Sequence, residues 1–573
     1  MPSYLHSTVY DFIIVGAGPA GCALASALAA SPAAPTVLLV EAGDNNQDEN
    51  LRIDANKYVQ HQNPTQAWGY TSAPEPSLGD RVLELARGKG LGGSSAVNFT
   101  VWSEGSRDDM DSMVKFTGDD SWGWDKVKER YRRLTTYNMD IHQDYKPYIE
   151  PNVADVGKQG QLRIGYPAVY DPEITGLVDV FLDNGVSIRK NANDGNPLGI
   201  AIYPVTSHRG RRSTSADLLH SSSQNLVVLT NCTIHRVLFE GRTATGIITH
   251  HGQTIHARKE VILSSGAMDS PKILMHSGIG PADQLATFGI PVLFANPNVG
   301  QNFQDHVGVV LRWQRAEHTS IKPEFFRDKK AQSAALTEWK QFGTGPLASI
   351  GCTNALGFFK SDAVLASTEF SRLPAQQQAH MTAPTMPMYE VALGATAPEY
   401  YLDPDNAPAI ATAFVILHNL QSRGSCRLQS ADPSVPLVFN TSFLSHPFDQ
   451  RLAIESMKEI MHLMQSEAFQ KDHVRTLIGP KSITDEDILE FWRNNANTAW
   501  HMSSTCSMTG VENEDGNTEG GVVDRDFRVH GTTGLRVVDN SIFPFIPSAH
   551  IQAHAYQVGL IAAEKIIRQH ELD

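Results

Sequence analysis

One stretch near the N-terminus restricts the fold more than any other: Phe12-Ile13-Ile14-Val15-Gly16-Ala17-Gly18-Pro19-Ala20-Gly21. The continuous apolar run Phe12 to Val15 suits a strand buried on both faces of a parallel sheet. Gly16-x-Gly18-x-x-Gly21 then opens an Ala-rich helical segment, Cys22 to Ala30. A second apolar run, Thr36 to Val40, ends in Glu41, 20 residues after Gly21. Strand, glycine turn, helix, strand and acid in this order read as a dinucleotide-binding unit. Gly16 permits the tight turn, Gly18 lets backbone approach a pyrophosphate, and Gly21 lets helix and strand pack closely. The helix N-terminus offers free N–H groups and a positive dipole end to phosphates. Glu41 can accept hydrogen bonds from ribose hydroxyls. The fingerprint alone does not separate NAD from FAD.

Size and charge narrow the class. A chain of 573 residues is too long for one compact unit, which predicts two domains. A formal net charge of -15 argues against nucleic acid and anionic membranes as partners. No run reaches the ~20 apolar residues of a membrane span. Residues 1–10 lack the basic region and apolar core of a signal peptide. The expectation is an intracellular, cytoplasmic protein, unless a leader has been removed. Cys22, Cys232, Cys352, Cys426 and Cys506 are scattered and without CxxC spacing, which excludes a disulfide framework or thiolate metal site as organising feature. Oligomeric state is not legible.

Residues 42–85 read as loop with short elements. Arg87-Gly88-Lys89-Gly90-Leu91-Gly92-Gly93-Ser94-Ser95-Ala96-Val97-Asn98 then supplies a flexible backbone that can lie against a flat or charged ligand. Residues 119–136 predict a turn followed by an amphipathic helix. A strand at 225–229 precedes Val237-Leu238-Phe239, Ala244 to Ile248 and Glu260 to Leu263, which read as a β-meander. Past Ser264-Ser265-Gly266-Ala267, Asp269 or Ser270 is placed to cap a helix with Pro271 at its first position, and Gly278 to stop it. Asn298 to His306 follows with no assigned role. From about 310 to 500 aromatics, Met and His increase, which marks the second domain. There Leu428 to Pro436 reads as strand and turn, and Phe448 to Glu467 as a helix whose Met stripe is core. Arg536-Val537-Val538-Asp539 is a short strand ending in an acid, and Tyr556 to Ile567 a closing helix.

Together, Gly16 to Gly21 with Glu41, Gly88 to Asn98, Gly266 to Gly280 and Val537 to Gln552 resemble the glucose-methanol-choline (GMC) oxidoreductases. The style is closest to the aryl-alcohol and furan-alcohol oxidases of that family. The resemblance implies an α/β fold: a Rossmann-like FAD-binding domain interleaved with an α+β substrate-binding domain on an antiparallel sheet. The expected boundaries are 1–160, 205–310 and 510–573 for the first, and 161–204 and 311–509 for the second. It makes FAD the cofactor. Gly16, Ala17, Gly18 and Gly21 would hold the pyrophosphate and Glu41 the adenosine ribose. Gly92, Gly93 and Asn98 would lie against the isoalloxazine, Ile234 near adenine, Asp539 close to the ribityl and pyrophosphate region, and Gln552 among the cofactor-binding residues. Some relatives attach FAD through a histidine just before the asparagine of the glycine loop. Val97 stands there, so non-covalent FAD is expected.

Among 22 histidines the same resemblance singles out His501, in Ala499-Trp500-His501-Met502, and His550, in Pro547-Ser548-Ala549-His550-Ile551-Gln552. His501 would take the hydroxyl proton of an alcohol as general base, and His550 would hydrogen-bond the developing alkoxide. The carbon-bound hydrogen would leave as hydride to flavin N5. Trp500, Phe414 and His418 would line the substrate pocket. The expected function is oxidation of a primary, aryl or furan-type alcohol to the aldehyde with O2 reduced to H2O2. A dehydrogenase using a quinone-type acceptor, or a non-redox lyase or cyclase of the same fold, are the alternatives. His554, four residues beyond His550, raises metal binding, but no third ligand is evident and no metal is expected.

Overall fold

The computed structural model describes residues 8–167, 169–219, 224–349, 354–511 and 520–573. Cys352 and residues 1–7, part of the stretch read for a leader, lie outside these. Two seven-stranded sheets organise the chain. In the first, Leu226–Leu229, Val37–Val40, Val9–Val15 and Thr254–Leu263 lie side by side in parallel. Their apolar runs are continuous because both faces are covered: Phe12, Ile13 and Ile14, like Val37, Leu38 and Leu39, are wholly buried. Ile13 sits between Leu38 and Val261 in register. The Thr254–Leu263 strand serves twice. Its first half closes the antiparallel meander with Thr243–Thr249 and Ile234–Glu240, and its last three residues pair with Leu535–Val537. The C-terminal part of the chain thus enters the same sheet as the N-terminal part. The Pro19–Ala29 helix packs against the closing Gln552–Gln569 helix, and a Cβ on Gly559 would strike the Ala20 carbonyl at 2.3 Å.

The second sheet is antiparallel: His473–Ile478, Val307–Arg315, Ile410–Leu417, Tyr389–Gly394, Asn354–Phe359, Gly199–Tyr203, with Asn497–Thr498 paired to Val307 and Gly308. Leu417 is in register with Val307 on one side and Tyr389 on the other. The strand ends around it therefore gather at one edge. The Met stripe is core: Met457 and Met464 are buried along and beyond the Pro447–Leu463 helix.

Two local expectations need correction. The strand before Leu428 is Ser425–Arg427, and Leu428 to Pro436 carries turn but no strand. The helix expected to start at Pro271 runs from Gly266 to His276, with Ser265 as its cap and Pro271 inside it. A proline there removes the N–H that would bond the carbonyl four residues back, Ala267. The Thr505 hydroxyl donates to that carbonyl at 2.7 Å instead, so the bond is supplied from another part of the chain. Replacing Thr505 by Val keeps the shape and orphans the carbonyl. A loss of about 1–3 kcal/mol in urea unfolding is expected; unchanged stability would mean that the Thr505 bond does not support this helix. Among the described residues no helix is long and apolar enough to cross a membrane.

Candidate active site

A cavity of about 390 Å³ runs between the two sheets. Its lining includes Gly16, Gly18, Glu41 and Ile234, then Gly93, Val97, Asn98 and Asp539, and also Phe414, Trp500, His501, His550 and Gln552. The glycine turn is built as the fingerprint requires. Gly16 has φ +107°, and a Cβ on it would lie 2.4 Å from the Ser264 carbonyl oxygen. A Cβ on Gly18 would meet no protein atom, so backbone alone faces the cavity there. Gly21 and Gly92 stand behind the wall. Gly21 lets the helix close on the Gly16 carbonyl, 2.0 Å from a would-be Cβ, and Gly92 donates its N–H to Ala17 at 3.0 Å.

Glu41 does more than wait for a ribose. Its buried carboxylate accepts from the N–H groups of Ala17 at 2.9 Å, Gly43 at 2.9 Å and Gly90 at 3.0 Å. One side chain thus ties the first glycine turn to the second glycine loop. Asp539 is similarly committed, accepting from Gly266 N–H at 2.9 Å and the Ser270 hydroxyl at 2.5 Å. Asn98 donates to Gln552 Oε1 at 2.6 Å and accepts from Arg212 at 2.8 Å, joining the glycine loop to the closing helix.

The rings of His501 and His550, both in the cavity wall, lie 5.0 Å apart between centroids, at 68°. His501 follows the short Asn497–Thr498 strand, and His550 lies in the turn before the Gln552–Gln569 helix. Trp500 sits in the left-handed region at φ +58°, a costly conformation for so large a residue. Its peptide is held on all sides. Its N–H donates to Thr498 at 2.7 Å, its carbonyl accepts from Arg87 at 2.5 Å, and the next N–H, of His501, donates to Asp305 at 2.7 Å. Burial pushes Asp305 up to about 7, against the donors that surround it. Tyr58, His61, Phe99 and Trp500 form the aromatic wall beside His501, with Phe99 and Trp500 stacked 5.9 Å apart at 24°.

His418 requires correction. It is wholly buried and lies outside the cavity wall, behind the histidine pair. His306 Nδ1 stands 2.9 Å from His501 Nδ1, and His306 Nε2 stands 3.2 Å from His418 Nδ1. His418 Nε2 is 3.3 Å from Glu390 Oε2, and His550 Nε2 is 2.7 Å from Glu390 Oε1. The two cavity histidines are thus joined behind the wall through His306, His418 and Glu390. His554, by contrast, is buried against Phe543 and Gly105. Sheet register explains the grouping. His306 precedes Val307 and His418 follows Leu417, so these two lie opposite each other, while Glu390, opposite Ile416, is the diagonal neighbour of His418 on the adjoining strand.

The sequence reading gave no role to His306, Asp305, Arg87 or Glu390. Signals existed: an Asp-His pair entering an apolar strand, and a lone acid within Met388-Tyr389-Glu390-Val391-Ala392. Burial first, then the neighbouring imidazoles, hold His306 well below the ordinary imidazole range. His501 is depressed in the same way, by burial and then by His550. Burial also lowers His418, against the pull of Glu390. Burial works to raise the Glu390 carboxyl, but His550 and His418 more than offset it and bring it to about 2.

Family models described as GMC oxidoreductase match residues 10–308 and 421–559. The chain is 32% identical to pyranose dehydrogenase 3 of Leucoagaricus meleagris, over 97% of this chain and 92% of that protein. It is 31% identical to an oxygen-dependent choline dehydrogenase of Cronobacter sakazakii, over 97% and 95%. Among solved structures, a formate oxidase variant of Aspergillus oryzae RIB40, made to study FAD modification, superposes with TM-score 0.87 at 27% identity, covering 99% of each chain. A fungal aryl-alcohol oxidase does so with TM-score 0.83 at 25% identity, covering 98% of this chain and 99% of that one.

Replacing Glu41 by Ala would strand three buried N–H donors. Chemical unfolding is expected to show a loss of at least about 1–3 kcal/mol, and wild-type stability would show that the two glycine loops hold without it.

Proposed function

This chain belongs to the GMC oxidoreductase family, FAD-dependent oxidoreductases acting on CH–OH groups, and we propose that it oxidises a primary, aryl or furan-type alcohol to the aldehyde, with O2 as electron acceptor. The single observation that carries this reading is the convergence of His501 and His550 at the aromatic end of the cavity.

The cavity fits FAD. Backbone without side chains faces it at Gly18 and Gly93, and Glu41 and Ile234 stand at the end where an adenosine would lie. Val97 lines the wall beside Asn98 and has no group that could attach a cofactor, which supports non-covalent FAD. Bound FAD would supply the two-electron acceptor.

The chain's own residues manage the proton. His501 has one ring nitrogen against His306, and its Nε2 has no hydrogen-bond partner among the described residues. Held neutral by burial, that nitrogen is free to accept the hydroxyl proton. His550 has its Nε2 against Glu390, so any hydrogen bond it gives a substrate oxygen comes from Nδ1. That requires a ring carrying both protons, a cation beside the Glu390 carboxylate, suited to a developing alkoxide. Phe99, Trp500 and Phe414 offer flat surfaces that favour an aromatic or furan ring over a sugar. The relatives' sugar and choline activities form the second reading within the family, but a pyranose would have few polar partners on this wall.

The purified yellow protein, mixed anaerobically with aryl, furanic, sugar and choline-type alcohols, is expected to bleach with the first two. Bleaching only with sugars would overturn the substrate class. Peroxide formed in air matching substrate consumed supports the oxidase, whereas reduction of a quinone dye without peroxide makes the protein a dehydrogenase. His501→Ala is expected to slow flavin reduction by about 10²–10⁴-fold with FAD content unchanged; wild-type rates would remove His501 from the chemistry. Because the folded enzyme depresses His501 below the free imidazole value of about 6.5, its base form persists as pH falls through 6.5. The reduction rate should hold level there and decline only in more acidic solution; a midpoint at or above 6.5 would contradict this assignment.

A further inference from the structure

Five side chains, none contributed by neighbouring positions in the sequence, form one unbroken line: His501, His306, His418, Glu390, His550. Three of them, His306, His418 and Glu390, have no exposed surface. A buried neutral imidazole has one N–H and one bare nitrogen, so a line of them has a direction, and whatever sits at the end sets it.

Glu390 is that end. An ionised carboxylate can only accept, so His418 must point Nε2–H at it. A neutral His418 then has a bare Nδ1, which must receive Nε2–H from His306. His306 is left with a bare Nδ1, which must receive Nδ1–H from His501. His501 consequently presents a bare Nε2, which has no hydrogen-bond partner among the described residues. We propose that Glu390, through His418 and His306, fixes the tautomer of His501, and that this line also stores the charge of the proton removed from the substrate. The proposal rests on the reading of His501 as the proton acceptor.

The storage step balances. The substrate O–H bond breaks and His501 Nε2–H forms. His501 Nδ1–H breaks and His306 Nδ1–H forms. His306 Nε2–H breaks and His418 Nδ1–H forms. Each proton crosses one hydrogen bond, His501 and His306 end neutral in the opposite tautomer, and His418 ends as the cation. Charge is better placed there. At His501 it would face His550, 5.0 Å away between ring centroids, and the Arg87 guanidinium. At His418 it would lie against the Glu390 carboxylate, whose attraction outweighs the repulsion that His550 exerts there too. His306, His418 and Glu390 are therefore positioning and proton-holding residues rather than groups that touch substrate.

The test uses the FAD-loaded enzyme labelled with ¹⁵N in its histidine rings, with the His501, His306 and His418 signals assigned by single substitutions. In the resting wild type, His501 should carry its proton on Nδ1, and His306 and His418 theirs on Nε2. After anaerobic reduction by an alcohol, His418 should be the one of these three rings with both nitrogens protonated. The opposite tautomers at rest, or a cationic His501 after reduction, would overturn the proposal. Glu390→Gln replaces a pure acceptor by a group that also donates. Flavin reduction should fall by at least about 10²-fold with FAD still bound, and the His501 tautomer should become mixed. Wild-type rates and spectra in that variant would also overturn it. If the variant does not fold, the wild-type spectra decide alone. Failure of the functional reading looks different: His501→Ala would keep full reduction rates, whatever the state of Glu390.

Discussion

A carboxylate removed from water must be met by donors, and among the described residues Glu390 is met by two imidazoles. That requirement shapes one end of the molecule. It demands that Tyr389–Gly394, Val307–Arg315 and Ile410–Leu417 lie in a register that sets His306 opposite His418 and Glu390 diagonally beside it. It demands equally that the turn ahead of the last helix deliver His550 to the other carboxylate oxygen. The two sheets are thus tied through a polar contact as well as through the cavity between them.

The cofactor end depends on a second carboxylate used in the same manner. Glu41 spends its lone pairs on Ala17, Gly43 and Gly90, so the two glycine-rich segments that face the cavity are fixed to each other before any ligand arrives. Burial raises Glu41, against those donors. A carboxyl held above its free value favours the fold in acid and loses that contribution as pH rises, so acidity acts in opposite senses at the two ends. The depressed histidines His306, His418 and His501 contribute stability that is complete above the free imidazole value and is lost as pH falls below it.

Much of this was legible from residues. The parallel strands could be read because runs buried on both faces are apolar throughout, and the meander because its short strands are bounded by turns. His501 and His550 were singled out because their flanking residues resemble the family's, and both line the cavity. The helix start at Gly266 was misplaced because Pro271 has a strong preference for first turns, and Thr505, which lets it sit inside, lies more than 200 positions away. His418 was read as a pocket wall together with Phe414, yet strand ends can face the interior as readily as the cavity. His306 and Glu390 escaped because a buried polar line is defined only by strand register, which a single sequence does not display.

The most direct test of the account is a structure of the FAD-bound protein with an unreactive analogue of an aryl alcohol. The account predicts FAD along the glycine turns and the analogue's oxygen within about 3.2 Å of both His501 Nε2 and a nitrogen of His550. An oxygen beyond reach of both rings, or FAD bound elsewhere, would contradict it.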